Sequence, residues 1–154
     1  MSEVGEQLAP VTRTVLARDI VMGAAASRDW QPQHHDVAYA REMNLPDVIM
    51  NAPTQTGWFH AYAMAWAGEG ARIARWKLKM RRSICPGAQV TLTGEVTQVE
   101  SAWTEAEWVW LELRISGAEE QLSSMQLLLA RPIELDRTCW VIPANQWVVP
   151  SLVR

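Results

Sequence analysis

The stretch RDWQPQHHD, Arg28 to Asp36, places two aspartates, a proline and two adjacent histidines within nine residues. Asp29 and His34 are the side chains best suited to share a proton transfer near neutral pH. An imidazole titrates near about 6.5, and an apolar pocket can push a carboxylate upward toward that range. Read blandly, the same two residues are an N-capping aspartate and a surface histidine, since loops carry such groups with or without function. A metal site built from His34, His35 and Asp36 fits less well. Consecutive histidines point in different directions, and no further ligand stands at a diagnostic spacing, so no metal is expected. His60, farther along, reads as a core histidine.

The elements around this stretch must position it. VTRTVLA, Val11 to Ala17, reads as a strand, and the small-residue run RDIVMGAAAS as a short helix that stops before Arg28. Pro32 keeps Gln31 out of the helical region, and Asp36 is a good N-cap for VAYAREMN. His34 and His35 therefore belong to a junction between loop and helix.

The segment NAPTQTGWFHAYAMAWAG opens on a capping Asn51, carries Pro53 in its first turn and closes at Gly68, which predicts a helix over about 52–67. Trp58, Phe59, Tyr62, Met64 and Trp66 put apolar groups all round it, so something must wrap it. A run of strands comes next in the chain. In RIARWKLKMRR the period is two, with Trp76, Leu78 and Met80 on one face and Arg75, Lys77, Lys79 and Arg81 on the other. QVTLTGEVTQV turns Val90, Leu92 and Val96 to one side, and EWVWLELRI does the same with Val109, Leu111, Leu113 and Ile115. QLSSMQLLLARP adds another strand, and PGA, SAWTEA and SGAEE are short enough to be turns. One buried helix followed by an antiparallel sheet that curls round it is an α+β fold of the hot-dog type.

Length and composition agree. The chain has 154 residues, one domain's worth, with a core expected over about 11–132 and a tail, 133–154, that packs on the domain or on a partner. With 49% hydrophobic and 20% charged residues and a net charge of -3, it has the composition of a globular protein and not of a nucleic-acid binder. Nine tryptophans against one phenylalanine could fill a core or line a large apolar pocket. The two cysteines are too few for a disulfide framework, which suggests a reducing compartment. MSEVGEQLAPVTR lacks the basic and apolar regions of an export signal, and no apolar run reaches the ~20 residues of a membrane span. A cytoplasmic location, with no membrane or nucleic-acid partner, is the expectation.

DWQPQHHDVAYA resembles the signature of the MaoC-like (R)-specific enoyl-CoA hydratases: Asp, any residue, Asn, Pro, an aliphatic residue, His, five residues, then Ala or Ser. Asp29, Pro32, His34 and Ala40 fall in register. Gln31 stands where Asn is usual, Gln33 where an aliphatic residue is usual, and Arg28 where many members have Gly. AWAG at Ala65 to Gly68, the basic strand, and CPGAQVTLTGEVTQV also resemble the family's continuation.

The resemblance implies a hot-dog dimer or higher oligomer, with a second copy or another MaoC-like chain, and an acyl-CoA thioester substrate. It implies reversible syn addition of water to a trans-2-enoyl-CoA, giving the (R)-3-hydroxyacyl-CoA. Asp29 and His34 would be catalytic, with backbone N–H groups near Asn51 and Ala52 meeting the thioester oxygen, where many members have Gly. No cofactor is implied, coenzyme A being part of the substrate. Gln31, Trp58, Arg75 and Lys77 are candidate substrate contacts, the last two drawn from a stripe, with Lys79, Arg81 and Arg82, that could meet coenzyme A phosphates or simply face solvent. RDWQPQHHD and AWAG look nearest to MaoC-like proteins of steroid side-chain degradation, which suggests a bulky acyl group. Two other readings are a hot-dog thioesterase and a non-catalytic acyl-CoA binding or subunit protein. The first needs a carboxylate on the central helix, where this chain has none; a non-catalytic subunit predicts a degraded Asp–His pair, which this chain retains, while a pure acyl-CoA binding module stays open.

Overall fold

The computed structural model describes residues 1–103, 105–134 and 136–152. A first strand β1 (Gln7–Thr14) leads into α1 (Ala17–Ala26), a 3-10 turn at Pro32–His34, and α2 (Val37–Glu42). The long helix α3 (Ala52–Ala67) follows, then β2 (Arg72–Met80), β3 (Gln89–Trp103), β4 (Ala106–Ser116) and β5 (Gln121–Pro132). The strands form one antiparallel sheet in the order β1-β3-β4-β5-β2. Because β2 crosses over to the far edge, α3 lies across the concave face between first and last strands. This is the expected hot-dog architecture, helix wrapped by sheet.

The core between α3 and the sheet is built from Phe59, Tyr62, Ala63 and Ala67 of the helix against Val90, Leu92, Val96, Leu111, Leu113, Ile115, Met125 and Leu127. These strand residues are the alternating apolar positions of the sequence, so the period of two placed them on the helix side. Gly94 marks a close approach: a methyl group there would crowd Leu113, Leu8 and Tyr62. Asn51 caps α3 by accepting from the Thr54 amide at 3.0 Å, and Gly68 ends it with φ 88°.

Three expectations need correction. First, α3 is not buried all round. Pro53, Gly57, Ala61 and Ala65, four residues apart, stay exposed, because one curled sheet covers only part of a cylinder. Second, the alternation in β2 predicts a half-buried strand, yet Trp76 and Met80 are 50% and 52% exposed. As an edge strand, β2 lies at the limit of what α3 can cover; Trp76 meets only the edge of His60 there, at a ring separation of 4.7 Å. Third, SAWTEA does join two strands in a hairpin, as expected, but the strands take in most of it: β3 runs on to Trp103 and β4 begins at Ala106.

The opposite face of the sheet carries a second apolar cluster. Trp108 and Trp110 on β4 pack with Trp103, Leu128 and Ala130 under the tail's Cys139, Trp147 and Leu152. Trp147 stacks on Trp103 at 5.6 Å, Arg72 sits 3.9 Å over its ring, and Trp110 Nε1 donates to Ser151 O. β4 is consequently buried on both faces from Ala106 to Leu111.

Candidate active site

Asp29 is placed by the way α1 ends. The Arg28 amide donates to Ala25 O and the Asp29 amide to Ala24 O, while Arg28 takes φ 54°. This is the left-handed termination that favours glycine, and here an arginine adopts it at a cost of about 1 kcal/mol. The chain thereby reverses direction and aims the next residue, Asp29, at the start of α3.

His34 is placed by stapling. Its turn is tied to the strand-like segment before α3, because Ile49 N–H donates to Gln33 O at 3.0 Å and His34 Nδ1 lies 2.7 Å from Ile49 O. A carbonyl can only accept, so Nδ1 carries the hydrogen and the Nε2 of a neutral ring presents a lone pair. That Nε2 stands 3.3 Å from Asp29 Oδ2, with His34 buried and Asp29 partly so. Two acceptors at this distance require a proton between them, on the ring or on a water bonded to both.

Asn51 completes the arrangement. Its Nδ2 donates to Asp29 Oδ2 and to Ser27 Oγ, each at 3.0 Å, while its Oδ1 accepts from the Thr54 amide and hydroxyl. The Asn51 hydrogen bond is the main reason that the Asp29 carboxyl lies below the usual carboxylate range, with the Gln31 amide and His34 adding to it and desolvation opposing. The backbone amides of Asn51 and Ala52 have no hydrogen-bond partner among the described residues. They stand at the positive end of α3, where an anionic oxygen is favoured.

A cavity of about 460 Å³ opens over these groups. Asp29, Gln31, His34, Asn51 and Ala52 line it, together with apolar Ile49, Met50, Pro53 and Met80 and, at the end of β2, Arg81 and Arg82. Five of the eight candidate residues therefore meet at one cavity, and Gln31, though largely exposed, is among them. The other three do not. Trp58 lies instead under the Arg13 guanidinium, 5.2 Å from its ring. Arg75 and Lys77 are exposed on β2, because strand alternation sends them to the side away from α3, and Lys77 borders a separate groove with Lys79, Arg81 and Glu112.

Arg81 and Arg82 belong to the basic stripe, which as a pattern does not distinguish them from its other members; they reach the cavity because they lie beyond the last paired residue of β2, where alternation no longer applies. Arg82 is held by Glu120 at 3.0 Å. The link from the Asn51 side chain to Asp29 is invisible to sequence reasoning, since a tertiary contact between residues so far apart leaves no local pattern. Among the described residues, no helix is long and apolar enough to cross a membrane.

The model of the MaoC like domain matches residues 2–109. The 3-oxo-4,17-pregnadiene-20-carboxyl-CoA hydratase beta subunit of Mycobacterium tuberculosis is 38% identical over 80 residues, 52% of this chain and 62% of that protein, so the match spans less than two thirds of the relative. A chain of the ChsH1-ChsH2 complex from Mycobacterium tuberculosis superposes with a TM-score of 0.80 at 27% identity, covering 85% of this chain and 99% of that one. The R-hydratase PhaJ1 from Pseudomonas aeruginosa gives 0.75 at 25% identity, covering 86% and 84%. With the family model spanning well over half of its length and the hot-dog fold in common with these structures, the chain belongs to the MaoC-like domain family.

Proposed function

We propose that this chain is an enoyl-CoA hydratase that adds water reversibly and syn across a trans-2-enoyl-CoA, giving a (R)-3-hydroxyacyl-CoA. The observation that carries this reading is the separation of 3.3 Å between Asp29 Oδ2 and His34 Nε2 in a cavity whose floor is the N-terminus of α3. Two unprotonated acceptors facing each other are suited to binding one water through both of its hydrogens. As its oxygen adds to C3, one hydrogen passes to the pair and a proton is returned to C2, so the elements of water are conserved. Charge that builds on the thioester oxygen would be met by the free amides of Asn51 and Ala52. Arg81 and Arg82 at the cavity rim suit the phosphates of coenzyme A better than Arg75 or Lys77 do.

The acyl group is a bulky, steroid-like one in this reading. Support comes from the relative named as a pregnadiene carboxyl-CoA hydratase subunit and from the apolar lining of Ile49, Met50, Pro53 and Met80. The tryptophans lend it no support, as Trp58 stands elsewhere.

A second reading is favoured by two observations: the cavity reaches the unpaired edge of the sheet at Met80, and both Mycobacterium tuberculosis relatives are named as parts of assemblies. Here the same dyad would work in a subunit whose site is completed by another MaoC-like chain. Hydration of trans-2-enoyl-CoA thioesters from crotonyl to a steroid side-chain thioester, measured as loss of enoyl absorbance, separates the two. Turnover by the purified chain alone, best with the bulkiest thioester, is expected for a self-sufficient enzyme. Folded but silent protein would overturn that version in favour of the subunit.

A further inference from the structure

We propose that the Asn51 side chain is the positioning residue of the Asp29–His34 pair, holding Asp29 as a carboxylate with Oδ2 turned to His34; this rests on the hydratase reading. Asn51 uses its full hydrogen-bonding capacity: two donations, to Ser27 Oγ and Asp29 Oδ2, and two acceptances, both from Thr54. Turning the amide over would set its oxygen against the Asp29 carboxylate and its NH₂ against the Thr54 amide, so only one orientation satisfies the site. At 3% exposure it has no water to compete with these partners. One residue therefore links the end of α1, the Asp29 loop and the start of α3. The oxygen it bonds is the one facing His34, while Oδ1 accepts from the Gln31 backbone amide at 3.4 Å.

The charged groups that face Asp29 are few. His34 faces it from the 3-10 turn; Arg81 and Arg82 line the same cavity from the end of β2, and neither is within ion-pair distance of it. Arg28 precedes it with an exposed side chain, and the residues that α3 contributes to the cavity, Ala52, Pro53 and Gln55, carry no charge. The neutral amide of Asn51 is thus the donor best placed to set the proton affinity of the carboxyl.

Ser and Asp cap helices about as well as Asn, so both variants keep the start of α3; Asn51→Asp replaces the donor by a second carboxylate, and Asn51→Ser has one O–H on a shorter arm in place of two N–H donors and cannot bond Ser27 and Asp29 at once. The test reads the Asp29 carboxyl by ¹³C NMR titration, together with the pH profile of kcat. In Asn51→Asp a second carboxylate faces Asp29, and its titration midpoint is expected to rise by about one unit or more. Asn51→Ser should raise it by less, in the same direction. The acid limb of kcat should move with it, and kcat at neutral pH should fall ~10-fold in Asn51→Ser with KM changed less than about twofold. A merely structural role would lower the melting temperature and leave the midpoint and acid limb in place, and that result overturns the proposal. Should Asn51→Asp fail to fold, Asn51→Ser decides alone. If the wild-type chain alone hydrates nothing, the self-sufficient version of the hydratase reading fails, while the Asp29 titration still decides for or against Asn51.

Discussion

Because Asp29 and His34 meet across 3.3 Å, their contributions to turnover should not be independent. Loss of a general acid or base costs about 10²- to 10⁴-fold, or roughly 2.7–5.5 kcal/mol of barrier. Asp29→Asn removes the charge. His34→Asn is the better partner substitution, since its Nδ2 can take over donation to Ile49 O, whereas His34→Ala would strand that carbonyl at a cost of about 1–3 kcal/mol. If each residue acted alone, the double variant would lose the product of the two factors, ~10⁴-fold or more. If they hold one water between them, the first substitution already destroys the arrangement. The double variant should then lie within about tenfold of the worse single one. The assay is kcat/KM for hydration of the best trans-2-enoyl-CoA, with circular dichroism and melting temperature confirming the fold of all four proteins. Additive losses, or single losses below about tenfold, would refute the shared-water reasoning.

Three further outcomes are expected. In Gly23→Ala the new methyl would run into the Thr54 side chain where α1 crosses α3; this outweighs the gain in helix propensity, so stability by urea titration should fall by about 1–3 kcal/mol. His60 has its Nε2 buried without a partner, and desolvation lowers its pKa from 6.5. Its neutral form is therefore the folded one: the stability it contributes is complete above pH 6.5 and is lost as pH falls through the lower folded value. The urea midpoint should decline as pH falls below about 6.5, and His60→Phe should flatten that decline. Burial pushes the Cys139 thiol up to about 11, against a smaller lowering by Arg72. It should react with a disulfide reagent at pH 8 orders of magnitude more slowly than an exposed thiol, and Trp147→Ala, which loosens the tail above it, should speed that reaction. Reaction as fast as that of a free thiol in the folded wild-type protein would contradict the packing.

Much of this molecule can be read from local rules. The period of two in β3 and β4 names most of the core residues of the sheet, and Asn51, Asp36 and Gly68 mark helix ends by their capping chemistry. What could not be read belongs to the tertiary level. Alternation says which residues of β2 share a face but not that β2 is an edge, so Trp76 and Met80 read as core residues and stand half exposed. An arginine at the end of α1 hides a left-handed turn that glycine would have advertised. The reach of Arg81 and Arg82 into the cavity depends on where pairing with β5 stops, at Met80 opposite Ser123, which no spacing reveals. Asp29 and His34 were accessible because a proline and a cap fix the short path between them.

The free edge of β2 has a consequence for association. Arg75, Lys77 and Lys79 are exposed along it, alternating with Trp76, Leu78 and Met80. If a second copy paired there antiparallel about a two-fold axis, cation would stand opposite cation, while a neighbour with an acidic strand would neutralise the row. Ionic strength can thus report the identity of a strand added at this edge. Added salt screens repulsion and tightens pairing between like copies, and it screens attraction and loosens pairing with an acidic neighbour. In the absence of any neighbour, the same row of charge protects the edge from indiscriminate strand addition and keeps the exposed Trp76 and Met80 from seeding aggregates.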